Sequence, residues 1–345
     1  MTPPPNDHAE FVGAVHVHSR YSDGSGRVED IISDALAAGL DFVTITDHST
    51  EAAREAGYAG WHDGLLVVVG TEISFGRGAH LLVFGVKDCQ ALESMSADEA
   101  LTAVRAEGGL AIAAHPEGVA KPTLGIFHRP WTSWDNPDFR AVELWSFMYD
   151  WIKDFRWRRF FDFHGDPHSK LSGPSPEVLA RWDRAGRDRP VAAVGSLDAH
   201  ARRLLFRRYT FFPYSLLFGT VATCVMRPEL TGRAEDDCRA VMDAVASGRS
   251  YIANRHTAPA RGFRYEVTGG GERFEMGSVV EFREGLTARI ATPERSEIRL
   301  IADGIPLAAA GGTGAEFEIA GPAVYRVEAR YAGRPWIYSN PIYVR

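Results

Sequence analysis

The sequence predicts an α/β protein in which an irregular β/α barrel precedes a small β-sandwich. A length of 345 residues favours either a large barrel with an appendage or two medium domains. From Phe11 to about Asn254, short apolar runs alternate with stretches of helical pattern, which is typical of strands covered by crossover helices. Beyond about residue 260 the helical pattern ends, and the strands alternate apolar with polar residues. We therefore expect a barrel domain at residues 1–260 and a β-sandwich domain at residues 261–345.

Each element is predicted from its own pattern. The barrel strands are apolar runs rich in β-branched residues: Phe11–His18, Phe42–Asp47, Leu65–Ser74, His80–Val86, Leu110–His115, Ala141–Phe147, Val191–Leu197 and Thr220–Met226. The helices are amphipathic stretches that end just before glycine: Val28–Ala38, Ala97–Glu107 and Glu235–Ala246. The sandwich strands are half-buried alternating segments: Leu286–Ala291, Glu297–Ala302, Glu316–Ile319 and Ala323–Tyr331.

Composition and charge narrow the functional class. Hydrophobic residues make up 45% and charged residues 24%, which is typical of a chain that folds throughout. A formal charge of −7 gives no general attraction for nucleic acid or anionic membranes, so small phosphorylated partners are favoured. The start, Met1–Glu10, lacks a secretory pattern and no later apolar run has membrane-spanning length, so we expect a cytoplasmic protein. The three widely spaced cysteines are expected to be free thiols.

The histidines carry the functional signal, because half of them fall at the ends of predicted strands. Of the twelve histidines, six do so: His16, His18, His48, His80, His115 and His200. Carboxylates accompany them at the same places: Asp23, Asp47, Glu72 and Asp198. In a parallel barrel the strand ends converge on one mouth. Imidazole and carboxylate together suit Zn, Mn or Fe, and the lack of nearby thiolates argues against a purely structural zinc site.

The spacing of these residues supports a metal cluster. His16 and His18 project to the same face of a strand, because side chains alternate with a period of two, so both can reach one metal. Glu72 is a candidate bridge, since a carboxylate can hold two cations. Asp198 and His200 repeat the spacing at a strand end, where a turn would let them serve different metals. Each pair alone is more often a packing or surface pair, but their ordered recurrence favours a metal site.

In order along the chain, these motifs resemble those of the PHP family, the domain shared by bacterial DNA polymerase subunits and histidinol phosphatases. The matching segments are His16-x-His18, Ser22-Asp23-Gly24, Thr46-Asp47-His48, Gly70-Thr71-Glu72, Gly78-Ala79-His80, Ala114-His115-Pro116 and Asp198-Ala199-His200. The resemblance implies a distorted (β/α)7 barrel with three metals. Many relatives read Gly-x-Asp-x-His where this chain has one further residue after Gly195. The stretch Arg334–Tyr343 resembles the tail of stand-alone bacterial members with an added β domain, which favours a free-standing enzyme.

The same resemblance implies a ligand set for each metal. The first would be held by His16, His18, Glu72 and Asp198. The second would be held by Glu72, His80 and His115. The third would be held by Asp23, His48 and His200. Two or three divalent ions of Mn, Fe or Zn are therefore expected.

Other residues near these motifs have weaker cases. Asp47 could be a ligand, but the resemblance implies that it more often orients an imidazole through the nitrogen that does not bind metal. Glu143 ends a predicted strand and either lines the mouth or forms a structural ion pair. His128 is the likeliest additional site residue among the remaining histidines. The aromatic segment Phe127–Phe163 is more typical of core packing, although one or two rings could form a lid.

Cations that follow the motifs are candidates for holding a phosphate. Arg20 and Arg202 are the preferred pair, because guanidinium matches that anion in a two-pronged geometry. Arg77 and Lys121 are further candidates. Solvation at the surface is the alternative for any one of them.

These observations predict a metal-dependent hydrolase of phosphate esters, acting on a small phosphomonoester or a nucleotide through a metal-activated water. The catalytic candidates are Asp198, His200, Arg20 and Arg202, and a proton for the leaving group could come from His200, Asp198 or a metal-bound water. One alternative is a 5'-3' exonuclease that acts on short DNA or RNA. Another is a non-catalytic module stabilised by metal. The oligomeric state is left open.

Overall fold

The computed structural model describes residues 10–345 except 77, 123–125, 157, 159–160, 162–164, 205–208 and 227. It is a mixed α/β fold. The strands that precede residue 260 are β1 Glu10–Val17, β2 Phe42–Ile45, β3 Gly60–His62, β4 Leu65–Val69, β5 Thr71–Phe75, β6 Ala79–Phe84, β7 Leu110–Ala114, β8 Val119–Lys121, β9 Ile126–His128, β10 Ala141–Ser146, β11 Ala192–Ser196, β12 Arg203–Leu204, β13 Tyr209–Thr210, β14 Val221–Met226 and β15 Ser250–Asn254. The α-helices are α1 Val28–Ala37, α2 Ala52–Glu55, α3 Ala97–Ala106, α4 Phe147–Asp154, α5 Pro176–Asp188, α6 Tyr214–Leu217 and α7 Ala234–Ala246.

The strands that follow residue 260 continue the same architecture without a further helix among the described residues. They are β16 Arg264–Gly269, β17 Glu272–Glu275, β18 Val279–Val280, β19 Thr287–Ala302, β20 Ile305–Glu318, β21 Ala323–Tyr331, β22 Arg334–Ser339 and β23 Ile342–Val344. Two predicted strands join into the single strand β19, with an irregularity between Ala291 and Ser296. The alternating pattern therefore located these strands but underestimated their length.

Two sheets hold the functional half of the chain. A five-stranded sheet has the order β11-β10-β7-β6-β5, and a 14-stranded sheet contains β3, β4, β2, β1, β14 and β15 before continuing into the C-terminal strands. β1, β2 and β4 are parallel, as are β7, β10 and β11. β5, β6 and β7 are instead antiparallel neighbours, which the predicted alternation of parallel strands and helices did not include.

The expected distorted (β/α)7 barrel is not confirmed, because the described strands do not form one closed ladder. Among the described residues, two isolated bridges lie between the sheets, Val17 to Ala199 and His48 to Glu72. The predicted strand Leu65–Ser74 also divides at Gly70, where the chain leaves one sheet for the other. A Cβ atom at Gly70 would lie 2.5 Å from the carbonyl oxygen of Val83, so a larger residue would clash at this crossing. Both bridges lie at the end of the sheets that carries the histidines.

The three predicted helices are confirmed as α1, α3 and α7, each within one residue of its expected ends. α3 begins with a capping box, in which the Ser96 hydroxyl accepts from the Glu99 amide at 3.3 Å and the Ser96 amide donates to Glu99 at 2.8 Å. None of the described helices is long and apolar enough to cross a membrane.

The C-terminal strands are tied closely to the sheets that carry the site. β22 pairs with β15, so the ladder runs across the expected boundary near residue 260. The Asn340 amide accepts from the Ala193 N–H at 2.7 Å and donates to the Ala193 carbonyl at 2.9 Å. Val191 donates its N–H to the Tyr343 hydroxyl at 3.0 Å. The division at 260 and the name β-sandwich stay predictions, but the two parts share a continuous hydrogen-bonded sheet.

Candidate metal centre

The buried carboxylate of Glu72, near the start of β5, is the centre of the site. Its Oε2 atom lies 3.2 Å from Nε2 of His16, 3.2 Å from Nε2 of His18 and 3.3 Å from Nδ1 of His48. Its Oε1 atom lies 2.7 Å from Nδ1 of His80 and 3.1 Å from Nε2 of His115. One carboxylate thus faces imidazoles on both of its oxygens, which is the geometry expected of a group shared between two cations.

His16 and His18 converge on Glu72 by a route that the strand period did not predict. The register of β1 shifts between Ala14 and Val17, and His16 adopts a φ of 68°. A bulge therefore re-aims His16, where regular alternation was expected. The Nε2 atoms of His16 and His18 each lie 3.5 Å from Oδ1 of Asp198. Both nitrogens are buried and lack a hydrogen-bond partner among the described residues. Two such nitrogens beside two carboxylates fit a cation between them.

Glu143, at the middle of β10, fixes the orientation of His16. Its Oε1 lies 2.6 Å from Nδ1 of His16, and its Oε2 accepts the backbone N–H of His115 at 2.7 Å. Because a carboxylate accepts at Nδ1, that nitrogen carries a proton, and Nε2 is the ring atom that faces Glu72 and Asp198, where a cation would displace any proton that it holds. Glu143 is fully buried and lies outside the mouth cavity, so it positions a histidine and also anchors the β7 end.

A second group of imidazoles lies on the other oxygen of Glu72. Ligand atoms of His80, His115 and His128 all lie within 4.8 Å of one another. His115 follows β7 directly and has a φ of 30°. The ring of Tyr149 from α4 stacks on His115 at 4.3 Å. Sequence reasoning placed His80 and His115 here but left His128 outside every motif.

A third group is more exposed and faces the opening. Asp23 Oδ1 lies 3.0 Å from Nε2 of His200 and 3.8 Å from Nε2 of His48. Nδ1 of His200 lies 3.0 Å from the Asp198 carbonyl oxygen, so it carries the proton and leaves Nε2 free to face Asp23. Arg202 donates to Asp23 Oδ2 at 3.0 Å.

Among the described residues, the Asp47 carboxylate makes no hydrogen bond to an imidazole, so the expectation that Asp47 holds a histidine is wrong. Its Oδ2 accepts from the Ser19 hydroxyl at 2.6 Å, and its Oδ1 accepts from the Ser22 hydroxyl at 2.6 Å. Ser22 in turn lies 3.5 Å from Nδ1 of His18. The hydroxyls of Ser19 and Ser22, in the loop after β1, donate to the Asp47 carboxylate. Asp47 therefore stabilises the loop that carries Asp23.

Backbone strain is concentrated at this site. His16, His115 and Asp198 have φ values of 68°, 30° and 54°, in the left-handed region that such residues rarely adopt. Each such conformation costs about 1–3 kcal/mol and persists only where the surroundings enforce it. All three are residues that the sequence selected as ligands, and Ser49 and Ala201, which directly follow His48 and His200, also have a positive φ.

The charges of the cluster are strongly coupled. Burial disfavours the charged form of His18, but the carboxylates of Asp198 and Glu72 beside its Nε2 outweigh burial and raise its pKa to about 9. Burial would raise the pKa of Glu72 and of Asp198, yet the surrounding imidazoles hold both well below their usual range. The protein alone thus places protons between these carboxylates and imidazoles, where a cation would replace them.

Two further residues of the site stay neutral. Burial, aided by the neighbouring His115 and His80, lowers the pKa of His128 to about 4, so its imidazole is neutral near pH 7. Burial and nearby carboxylates raise the pKa of Tyr149 well above its usual value, so its hydroxyl remains a proton donor. That hydroxyl is buried and lacks a partner among the described residues.

The cluster forms the floor of a cavity of about 490 Å³, and the opposite wall is apolar. The apolar lining consists of Ile126, Met148, Trp151, Ile152, Phe155, Ala201 and Phe211. Much of this wall comes from α4, within the aromatic segment that the sequence assigned mainly to core packing. The enclosed side of the cavity is therefore suited to an organic group rather than to bulk water.

The candidate phosphate-binding cations have different surroundings. Arg202 lines the cavity, whereas the exposed Arg20 does not and lies over the ring of its neighbour Tyr21. Lys121 donates to the carbonyl of Lys153 at 2.9 Å and also lies outside the cavity lining. Arg77 lies outside the described residues. The structure thus brings Arg202 to the cluster, while phosphate binding by any of these groups stays a prediction.

Comparison with known proteins assigns the region that holds most of this cluster. Residues 14–147 match the family model described as the PHP domain. An uncharacterized protein of Methanocaldococcus jannaschii is 29% identical over 123 residues, which cover 32% of this chain and 71% of that protein. A phosphoribosyl 1,2-cyclic phosphate 1,2-diphosphodiesterase of Eggerthella lenta is 37% identical over 83 residues, and this chain spans only 30% of its length.

Solved structures with a similar course of the chain include a two-domain protein of Bacteroides vulgatus, described as containing a predicted PHP-like metal-dependent phosphoesterase. Its TM-score is 0.47 with 13% identity, over 99% of this chain and 97% of that one. A second solved structure, from Bifidobacterium adolescentis, is described as that of a metal-dependent phosphoesterase. Its TM-score is 0.34 with 14% identity, over 67% of this chain and 96% of that one.

Proposed function

We propose that the protein is a metal-dependent phosphoesterase that hydrolyses a small phosphomonoester, because residues 14–147 match the PHP-domain family model. The observation that supports this most is the buried Glu72 carboxylate, which faces five imidazoles on its two oxygens. A packing role would leave the buried Nε2 atoms of His16 and His18 unpaired, whereas cations would use them.

We assign the residues to three cation positions. His16, His18, Glu72 and Asp198 would hold the first, Glu72, His80 and His115 the second, and Asp23, His48 and His200 the third. Bound Mn, Fe or Zn ions would lower the pKa of a shared water toward neutrality and offset charge on the phosphoryl oxygens. Nδ1 of His200 lies 3.0 Å from the Asp198 carbonyl oxygen, and Oδ1 of Asp198 lies 3.5 Å from Nε2 of both His16 and His18, so we assign both residues to holding cations.

Arg202 is the residue proposed to bind the phosphate. It is the single Arg or Lys among the described residues that line the cavity, and its partner Asp23 lies in the third cation position. A cation that takes up Asp23 would free the guanidinium to make a two-pronged contact with a phosphate. The same scarcity of cations disfavours a long nucleic acid, which requires a positive track along its backbone.

The organic part of the substrate would contact the apolar wall. A cavity of about 490 Å³ is in the range of sites for one small molecule. Met148, Ile152 and Phe155 line the same cavity as the cluster, so the ester group proposed here is compact and apolar or aromatic. A nucleoside is the larger substrate of this kind, because its base can also lie against the aromatic rings.

A substrate panel tests the proposal. Metal-depleted protein would be reconstituted with Mn, Fe or Zn and given aryl, alkyl and sugar phosphates, nucleotides, short oligonucleotides and a cyclic phosphodiester. The cyclic diester is included because the Eggerthella relative is named for that substrate. We expect the fastest metal-dependent release of phosphate from compact apolar or aromatic monoesters. Faster cleavage of oligonucleotides would favour the exonuclease alternative, and no hydrolysis with metals bound would favour the non-catalytic one.

A further inference from the structure

We propose that His128 is an additional ligand of the second cation position, which would then consist of Glu72, His80, His115 and His128. No motif in the sequence marks this residue, which is the last residue of β9. β9 pairs with β8, and His128 lines the cavity. The inference rests on the proposed function only in requiring that the protein binds divalent metal.

The geometry of the three rings supports this assignment. The ring of His128 lies 4.8 Å from that of His80 and 4.8 Å from that of His115, between centroids. Nδ1 of His128 is buried and has no hydrogen-bond partner among the described residues. A buried ring nitrogen beside two other imidazoles gains nothing from packing there, since each neighbour is also an acceptor or a like charge. A shared cation is what would make the cluster favourable.

The hairpin that carries His128 is fixed by close backbone contacts. A Cβ atom at Gly78 would lie 2.6 Å from the Arg129 amide nitrogen, and one at Gly118 would lie 2.5 Å from the Pro130 nitrogen. The Arg129 N–H donates to the Gly78 carbonyl at 3.0 Å. Gly78 has a φ of 129°, so the Gly-Ala-His segment that supplies His80 also forms the surface on which the hairpin lies.

Tyr149 supports the rings from the opposite side. Its ring stacks on His115 at 4.3 Å and meets the edge of His128 at 5.6 Å. His128 is therefore held between the Gly78 backbone and an aromatic side chain. This preorganisation suits a ligand, which must keep one ring orientation.

A further imidazole would change the chemistry of the second position. Three imidazoles and one carboxylate would be richer in nitrogen than the first position, where two imidazoles meet two carboxylates. Imidazole suits Zn and Fe, whereas carboxylate suits Mn better. The second position is thus expected to retain Zn or Fe when the protein is exposed to Mn.

The test measures metal rather than turnover. Purified full-length protein, His128→Ala, His128→Asn and Phe127→Ala would be depleted of metal, titrated with Zn and with Co, and assayed by elemental analysis and by the visible spectrum of Co. Phe127 is the matched control, because it precedes His128 on the same hairpin and its side chain is 58% exposed. His128→Asn keeps a compact polar side chain in case alanine loosens the hairpin.

We expect each His128 variant to bind one of its ions at least about 100-fold more weakly. That is the upper end of the loss in affinity seen when a group that contacts a metal ligand, rather than the metal itself, is removed. Their Co spectrum should also change, while Phe127→Ala matches the unmodified protein. Metal affinity in His128→Asn that stays within about threefold of the unmodified protein, far below the usual effect of losing a partner, overturns the inference. Failure of the unmodified protein to bind any metal would instead remove the proposed function.

Discussion

The metal centre and the C-terminal strands differ in how their buried polar groups are paired. In the C-terminal part, polar groups are paired within the protein: the buried Asn340 amide makes hydrogen bonds of 2.7–3.0 Å to Ala193 and Ser250. In the metal centre, the buried Nε2 atoms of His16 and His18 have no such partner. Native proteins rarely leave buried polar atoms unpaired. The buried Asn340 amide is therefore satisfied within the protein, whereas the metal centre has buried nitrogens that are available to a cation.

Backbone conformation shows the same contrast. Of the described residues after 260, only Asp303 and Ala332 have a positive φ without being glycine, and each directly precedes a turn glycine. In the metal centre, His16, His115 and Asp198 adopt such angles beside one another's side chains. The strands thus contribute stability, whereas the centre stores strain that cations would offset. Substitutions in the two regions should therefore affect different quantities.

The largest effect is expected from Glu72→Ala. Because both oxygens face imidazoles, we expect the affinity of two ions to fall at least about 100-fold each, beyond the usual cost of losing an outer partner, and hydrolysis to be lost. The control is Asp47→Ala, which removes a carboxylate that contacts Ser19 and Ser22 only. Elemental analysis of the folded proteins distinguishes them, and equal metal losses in the two variants would contradict the central role of Glu72.

Trp336→Ala should lower the stability of the fold and leave metal binding unchanged. Trp336 lies fully buried in β22 and donates to the Ala258 carbonyl at 3.1 Å. Truncation of such a side chain costs about 3–5 kcal/mol of unfolding free energy. We expect that loss in chemical denaturation, with an unchanged number of metals per folded chain. Leu307→Ala is the control, since that side chain on β20 is 52% exposed. Loss of metal before loss of fold would show that the two regions are not independent.

The sequence predicted which residues form the centre better than it predicted the backbone geometry that brings them together. The positions of His16, His18, Glu72 and Asp198 at strand ends were enough to bring them together. The bulge that turns His16 was not predictable from the pattern, because alternation over His16–His18 looks the same in a regular strand. The apolar run through Gly70 likewise gave no sign of a break, since the break depends on the approach of Val83 from another strand.

Residues brought in by tertiary contacts were the ones that sequence reasoning left outside the motifs or assigned wrongly. His128 reaches the cluster because its hairpin lies against Gly78, a contact between segments that share no pattern. Asp47 was expected to meet an imidazole, but the Ser19 and Ser22 hydroxyls lie closer. In the C-terminal part, the continuation of the sheet through β15 and β22 depends on long-range pairing. Local patterns predict elements, and only packing decides which elements meet.

Glu143→Gln tests the orientation of His16. The amide keeps the size of the side chain but has only one oxygen. When that oxygen accepts from His115, the NH2 group replaces the acceptor 2.6 Å from Nδ1 of His16, so metal affinity should fall about 10–100-fold. The fold should remain, because the His115 N–H can still donate to the amide oxygen. Glu177→Gln, at an exposed site on α5, is the control. An unchanged affinity in Glu143→Gln, measured by chelator competition, would mean that His16 needs no such support.

The pH dependence of metal uptake should follow the raised pKa of His18. Its pKa of about 9 means that the metal-free protein holds a proton there at pH 7, and a cation must displace it. Affinity should therefore rise about tenfold or more per pH unit up to about 9 and level off above. Calorimetry in buffers of different ionisation enthalpy would measure the protons released. Uptake without proton release at pH 7 would contradict the coupling between His18 and its carboxylates.

The smallest effect is expected at the apolar wall of the cavity, which is the uncharged part of the site. Met148 is half-buried and lines the cavity opposite the cluster. Burial of a methionine is worth about 1.5–3 kcal/mol, and a partly exposed one that contacts only part of the ester should contribute roughly a third of that. Met148→Ala should then raise KM for an aryl phosphate about two- to fivefold, while kcat and metal content stay unchanged, because the lost contact is made equally in the ground and transition states. Met95→Ala, at a half-buried methionine outside the cavity lining, controls for a general change in packing. A fall in kcat at constant KM would place Met148 among the groups that orient the reacting atoms, and the apolar wall would then belong to the reaction as well as to substrate binding.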